Sequence, residues 1–411
     1  MHKNGDHALR SLSIGILIAT HLVASLKADD WHRWRGPNLN GVSAETAWLD
    51  TWPDQGPSII WKTMVGTGFS STSVARGRLY TMGNEDNTET VYCLDAVTGK
   101  ELWTHSYACA LDDRFFAGGP TSTPTVDAGS VYTLSRQGHL ICFEAASGEV
   151  LWSKNIQTET GVRIPGWGFA GSPLVHENLL LLNVGEAGTA VEKTTGKLIW
   201  TSADRDAGYA TPVPLRQDGR WVAVIASGKA YLAVDIKTGK QLWRHRWLTR
   251  FGCNAADPIV DDDYVFLSSG YNRGAALLKM ARDRPSVIWA HKELQNQLNS
   301  SVLIDGFLYG IDGNAGSKTR LKCLEWLTGE VRWTQDGIGC GSLMAADGKL
   351  IVLSERGELI IARASPKGFV ALARAQVVSG MCWTVPVLAQ GRIYCRSADG
   401  ELVCVDVRSS N

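Results

Sequence analysis

The sequence predicts an all-β fold, an eight-bladed β-propeller of four-stranded antiparallel blades, and three observations predict it. The first is a copied segment. Cys93-Leu94-Asp95-Ala96-Val97-Thr98-Gly99-Lys100-Glu101-Leu102-Trp103 returns as Cys142-Phe143-Glu144-Ala145-Ala146-Ser147-Gly148-Glu149-Val150-Leu151-Trp152. Its second half returns as Thr195-Gly196-Lys197-Leu198-Ile199-Trp200, Thr238-Gly239-Lys240-Gln241-Leu242-Trp243 and Thr328-Gly329-Glu330-Val331-Arg332-Trp333. The second is spacing: tryptophans 61, 103, 152, 200, 243, 289 and 333 stand 42 to 49 residues apart, a period that means a propeller or an array. The third is what lies between them: short alternating apolar runs separated by turn signals, four per unit, which is the content of a propeller blade.

Within a unit the order is constant. After each Trp strand comes a loop, then a strand that often contains proline, as at Thr123-Pro124, Ser172-Pro173, Thr211-Pro212, Asp257-Pro258 and Val385-Pro386. A tight turn such as Asp127-Ala128-Gly129 follows, then a strand such as Val131–Leu134, a second loop, and the copied segment. In that segment the Thr-Gly turn uses the backbone freedom of glycine, and the Trp suits docking of one sheet on the next. Weak copies at 284–289 and 365–370 leave seven blades as the alternative count. Residues 58–64 read as an outer strand whose partners lie at the far end of the chain. Pairing of Ile59–Lys62 with Leu402–Asp406 would close the ring and remove its open edges.

Residues 1–28 read as a signal peptide, with Lys3 and Arg10 ahead of a short apolar run from Leu12 to Ala24. Residues 29–57, rich in Trp, Gly and Pro, read as an arm packed on the propeller, and 58–411 as one propeller domain. Charge is balanced at 41 basic against 41 acidic residues, or 38 against 40 without residues 1–28, so nothing draws the chain toward nucleic acid. No later stretch is apolar enough to span a membrane. The expectation is a protein of the periplasm or the cell exterior, and a monomer. Of nine cysteines, Cys93, Cys142, Cys323 and Cys404 share one repeat position, and that regularity points to packing. Cys253, Cys340 and Cys382 share another, and the pairing of the nine is left open. Histidines 32, 105, 139, 176, 245 and 291 show no metal spacing. Asn299-Ser300-Ser301 fits a glycosylation pattern.

The repeated Thr-Gly-Lys-x-x-Trp resembles the tryptophan-docking repeat of the pyrroloquinoline-quinone-like propeller superfamily over roughly residues 58–407. That resemblance implies one of three roles. The superfamily includes quinoprotein alcohol dehydrogenases, the non-enzymatic propeller lipoprotein of outer-membrane protein assembly, and secreted bacterial members of unassigned function. The lead-in Trp31-His32-Arg33-Trp34-Arg35-Gly36-Pro37 looks like that last group. The dehydrogenases hold their quinone between a Trp plane and a vicinal disulfide, with calcium alongside. Here no two cysteines are adjacent, although Trp383 or Trp167 could offer a plane and Asp112, Asp113, Asn254 or Asn299 could ligate calcium. No catalytic residue is carried over.

The loops after each Trp strand and those between second and third strands share one face, the least repetitive part of the chain. Arg114, Phe115, Trp167, Phe169, Tyr209, Arg250, Asn254, Asn299 and Trp383 are the candidate ligand-binding residues there, an apolar rim with a few placed polar groups. The expectation is a non-catalytic scaffold binding a protein, peptide or polysaccharide through this loop face. The alternative is an alcohol dehydrogenase dependent on pyrroloquinoline quinone and Ca2+.

Overall fold

The computed structural model describes residues 30–202, 207–281 and 284–409. The proposed signal peptide at 1–28 lies outside them. Eight four-stranded antiparallel blades follow one another around a ring, one of them extended by a short fifth strand from the arm, so both weak repeat copies are genuine blade ends. Blades 1 to 7 are continuous in sequence, running from Ser73–Ala75 of blade 1 to Ala371–Gln376 of blade 7. Blade 8 is composite. Val387–Ala389, Arg392–Arg396 and Glu401–Asp406 supply its three inner strands, and Ser58–Met64 supplies the outer one. The register sets Ile59 opposite Val405, Trp61 opposite Cys404 and Lys62 opposite Val403, which is the closure the sequence predicts.

The repeated tryptophans lock neighbouring blades. Trp61, Trp103, Trp152 and Trp200 each lie against the turn glycine of the next blade, so closely that a Cβ on Gly99, Gly148, Gly196 or Gly239 would sit 2.6–2.7 Å from the indole. These glycines have φ of 68–77°, which other residues resist. Each indole Nε1 then donates to the carbonyl three residues ahead of that glycine: Ala96, Ala145, Lys193 and Ile236, at 2.9–3.3 Å. Trp289 and Trp333 do the same with Trp326 and Ser365. Trp243 faces the degenerate copy and donates instead to Gln217 Oε1 at 3.3 Å. At the matching place in blade 7 the outer strand carries Ala373 opposite Ile361. Trp52 of the arm packs on the same core cluster as Ala373 and donates to the Arg374 carbonyl at 3.0 Å.

Cysteines 93, 142, 323 and 404 sit in the third strand of their blades, each flanked across the sheet by a Tyr on one side and the docking Trp on the other. All nine cysteines are buried and free, which answers the open pairing question: they are packing residues. Burial pushes the Cys93 thiol up to about 11, away from thiolate reactivity.

A belt of side chains ties the start of one blade to the next. The N–H of Ser71 donates to Thr123 Oγ1, that of Thr123 to Ser172 Oγ, that of Ser172 to Thr211 Oγ1, that of Thr211 to Asp257 Oδ1, and that of Asp257 to Ser300 Oγ, at 2.7–3.1 Å. The proline-containing sites of the sequence are this belt, because a Ser, Thr or Asp precedes each of the first four prolines. Buried backbone N–H groups must find acceptors, and here the neighbouring blade supplies them.

The arm crosses the end of the ring formed by the tight turns. Asp30 meets the turns of blades 1 and 8 through Arg76 N and Gln390 Nε2. The Trp31 and His32 carbonyls accept from Val74 and Val126 in the first strands of blades 1 and 2. Leu39 joins the core of blades 3 and 4. Val42–Ser43 pairs in parallel with Ala345 and Ala346 of blade 7, and Glu45 accepts from the Gln390 and Gly391 N–H groups of blade 8. Arg35 is buried at the centre of this path. It donates to the carbonyls of Leu39, Asn40 and Ser301 and pairs with buried Asp257 at 3.9 Å. Trp34 Nε1 donates to the same carboxylate. Gly36, with φ 77°, is required because a Cβ there would lie 2.6 Å from the Trp31 ring. The Trp-x-x-Trp-Arg-Gly-Pro motif is therefore the part of the arm that seats in the ring.

Candidate functional site: the loop face

The opposite face is built by the long loops, and one buried side chain organises its first sector. Arg136, in the hairpin turn of blade 2, donates to the carbonyls of Leu111, Asp112 and Trp167 and to Asp112 Oδ2. It thereby holds the 110–120 loop against the 161–171 loop. Asp112 also accepts from Arg114 at 2.6 Å. That bond, with the Arg136 charge, holds its carboxyl below the usual range. A cavity of about 320 Å³ lies between these loops, lined by Asp112, Arg114, Arg136, Ile164 and Pro165 among others.

Within reach of the Arg136 charge, Glu89 is buried in blade 1 and accepts from Tyr107 Oη at 2.5 Å. Burial pushes its carboxyl up to about 7, opposed by the Tyr107 hydrogen bond and by Arg136. A carboxyl raised in this way binds its proton more tightly folded than unfolded, so its contribution to stability falls as pH rises from about 4.5 to about 7. Glu89→Gln is therefore expected to melt near the wild-type temperature at about pH 5 and a few degrees above it beyond about pH 7. Differential scanning fluorimetry across pH checks this, and a shift independent of pH would contradict it.

Trp167, itself half-buried, is the hub of a ring cluster that includes two exposed phenylalanines. It contacts Phe115 at 5.9 Å, Tyr209 at 5.6 Å and Phe251 at 6.0 Å, and Phe251 continues to Tyr271 at 5.7 Å. Phe115 is 66% exposed and Phe251 61%. Phe251 adopts the left-handed conformation, φ 67°, a strained setting for an aromatic residue. Arg114 lies over Phe115 and Arg250 over Phe251. A second group sits beside it: Phe69 stacks on Trp383 at 5.3 Å and touches Phe116 at 5.5 Å.

Of the nine candidate residues, Arg114, Phe115, Trp167, Tyr209 and Arg250 come together in or beside this ridge. Trp383 lies with Phe69, its Nε1 donating to Glu355. Phe169 is buried in the core between blades 2 and 3. Asn254 is buried, its amide bonded to the Ser227 and Trp247 carbonyls and to Ser269 Oγ. The Asn299 amide donates to the Gly341 and Trp383 carbonyls, so the glycosylation pattern falls on a buried nitrogen. Sequence reasoning did not single out Arg136, Phe251, Tyr271 or Arg273. Its signal for Phe251 was the neighbouring Arg250 in the same irregular loop. The rim segment 203–206 lies outside the described residues.

The candidate calcium ligands do not converge. Asp112 is engaged by Arg114 and Arg136, Asn254 Oδ1 accepts from Ser269 Oγ, Asn299 donates its amide nitrogen to the Gly341 and Trp383 carbonyls, and the three stand in the loops of different blades. Among the described residues no group of three or more His, Cys, Asp or Glu could hold a metal ion.

The profile of the family described as "Outer membrane protein assembly factor BamB" matches residues 87–335, more than half of the chain. The chain belongs to this family. BamB of Yersinia pestis is 23% identical over 231 residues, which are 53% of each chain, so the match spans about half the length of that relative. Among solved structures, BamB of Moraxella catarrhalis superposes with a TM-score of 0.62 at 16% identity, covering 85% of this chain and 100% of that one. Quinohemoprotein alcohol dehydrogenase of Comamonas testosteroni superposes with a TM-score of 0.67 at 13% identity, covering 93% and 81%. At these identities the structural likenesses show the PQQ-type propeller fold alone. Among the described residues, no helix of this BamB-family chain is long and apolar enough to cross a membrane.

Proposed function

We propose that this BamB-family propeller is an exported, non-catalytic scaffold that binds a protein through its loop face, acting in the periplasm or beyond it as a monomer. Residues 1–28 serve as its export signal, 29–57 as its seated arm and 58–411 as its propeller. The observation that carries the reading is the ridge of Phe115, Trp167 and Phe251. Exposed aromatic rings such as Phe115 and Phe251 on a rigid frame mark interaction surfaces, and of the polar groups beside them Arg136 and Asp112 are engaged in holding loops. The name of the matched family, an assembly factor, supports it.

The test is site-specific photo-crosslinking in cells that produce the protein. A photoreactive residue at Phe251 is expected to give discrete protein adducts, and one at Thr98, in a tight turn of the opposite face, none. Absence of adducts from Phe251, or a thermal-shift titration in which pyrroloquinoline quinone with calcium stabilises the protein, would overturn the reading.

A further inference from the structure

The partner's chemistry is written in the charge around the ridge. Four of the loops that carry it, residues 110–120, 161–171, 247–256 and 270–274, hold four arginines and two acids; the loop of Tyr209 adds Asp204, Arg205 and Asp206, which lie outside the described residues. Asp112 is neutralised by Arg114 and Arg136, which leaves Asp113 as the other carboxylate of these four loops. Arg163 and Arg250 are exposed, and neither they nor Arg273 has a carboxylate partner among the described residues. Arg250 lies over the Phe251 ring at 4.8 Å and Arg273 over the buried Trp247 ring at 3.4 Å. A guanidinium stacked on an aromatic face keeps its edge N–H groups free for a planar anion such as a carboxylate. Unpaired cations thus accompany the rings: Arg250 lies on exposed Phe251, which touches half-buried Trp167 and Tyr271, Arg273 stands two residues beyond Tyr271, and exposed Arg163 belongs to the Trp167 loop.

The ring geometry separates the macromolecules that could lie there. The contacts Phe115–Trp167, Trp167–Phe251 and Phe251–Tyr271 are tilted or edge-on, with interplanar angles of 55°, 72° and 84°. No run of coplanar faces is offered, so a polysaccharide chain, which lies flat on such faces, is poorly matched. Notches between edge-on rings suit the branched and aromatic side chains of a peptide.

Resting on the protein-binding reading above, we infer that the occupant of this ridge is an acidic protein segment, one that sets apolar side chains between the rings and carboxylates against Arg163, Arg250 and Arg273. The strained backbone of Phe251 is the feature that holds its ring out for this contact. Electrostatic attraction of this kind speeds encounter and weakens with salt.

The experiment is selection of random peptides displayed on phage against the folded protein, followed by binding measurements on the selected peptides. Three forms of the protein are used: wild type, Phe251→Ser and Arg163→Glu/Arg250→Glu. The three substituted residues are exposed, so the variants should keep the wild-type melting temperature. The expected result is enrichment of peptides that place Asp or Glu beside apolar residues. Their affinity should fall roughly tenfold or more in the charge-reversed variant, a loss of about 1.4 kcal/mol or more, and fall likewise in Phe251→Ser. Replacing the peptide carboxylates by Lys should restore binding to the charge-reversed variant. Ridge-binding peptides that are neutral or basic would overturn the inference and leave the protein-binding reading standing. So would selection of no Phe251-dependent peptide while crosslinks from position 251 persist. Binding of a neutral or sulfated oligosaccharide, lost in Phe251→Ser, would also overturn it.

Discussion

Removal of residues 401–411 is expected to abolish the cooperative thermal transition. Glu401–Asp406 is an interior strand of blade 8, bonded to Arg392–Arg396 on one side and to Ser58–Met64 on the other. Without it the outer strand has no sheet, and Trp61 loses its place against Gly99 of blade 1. Two blades then present open edges and an apolar interface to water. The buried side chains of this strand alone, Leu402, Val403, Cys404 and Val405, represent on the order of 6 to 10 kcal/mol of apolar burial. That is comparable with the whole stability of a typical domain. Circular dichroism melting and limited proteolysis check the result. A truncated protein that still melts sharply near the wild-type temperature would show that the ring does not depend on its closure.

The second large effect lies in the seat of the arm. Arg35→Met is expected to cost about 3 to 5 kcal/mol, because it leaves the Asp257 carboxylate buried without its cation. The double variant Arg35→Met/Asp257→Asn should recover part of the loss, since it removes the buried charge, although its one amide oxygen can accept from only one of Thr211 N and Trp34 Nε1, which the carboxylate serves with separate oxygens. The deficit also has a pH signature. Burial raises the Asp257 carboxyl above its ordinary value, and Arg35 opposes the rise. Without Arg35 the rise is larger, so the folded variant holds the proton more tightly than the unfolded chain. Its stability should improve as pH falls from about 8 toward about 5 and be lost again as pH rises. Urea denaturation of the three proteins at both pH values decides it. A deficit in Arg35→Met that does not change with pH would exclude the unpaired carboxylate as its cause.

How far these features could be read from sequence differs for a physical reason. The docking of Trp between blades was legible because the Trp recurs at one place in a segment copied around the ring, whereas its seat on the turn glycine of the next blade shows only in the structure. The belt was half legible: the column of Ser, Thr or Asp before proline is visible, and Asp257 is its odd member, but only coordinates reveal that each side chain caps the preceding blade. The arm's route was not legible beyond its packing on the body. Arg35 meets Asp257 across 222 positions of sequence, and no local pattern encodes such a meeting. The same limit applies to the ridge. Phe115, Trp167 and Arg250 stood out in irregular loops, whereas Tyr271 and Arg273 sit in a hairpin turn whose neighbours are fixed only once blades 4 and 5 are side by side. Phe169 and Asn254 share those irregular loops, and nothing in their spacing separates a side chain that turns inward from one that turns out.

The position of Asp30 carries a consequence for how the molecule would be displayed. Asp30 sits on the rim between the turns of blades 1 and 8, on the side of the ring away from the aromatic ridge. Any attachment made upstream of it, whether a fusion partner, a surface-coupling tag or a lipid, would hold the disc by its back. The ridge would then point outward into free space, unshadowed by whatever the protein is fastened to. Immobilisation through the N-terminal side should therefore preserve access to that ridge.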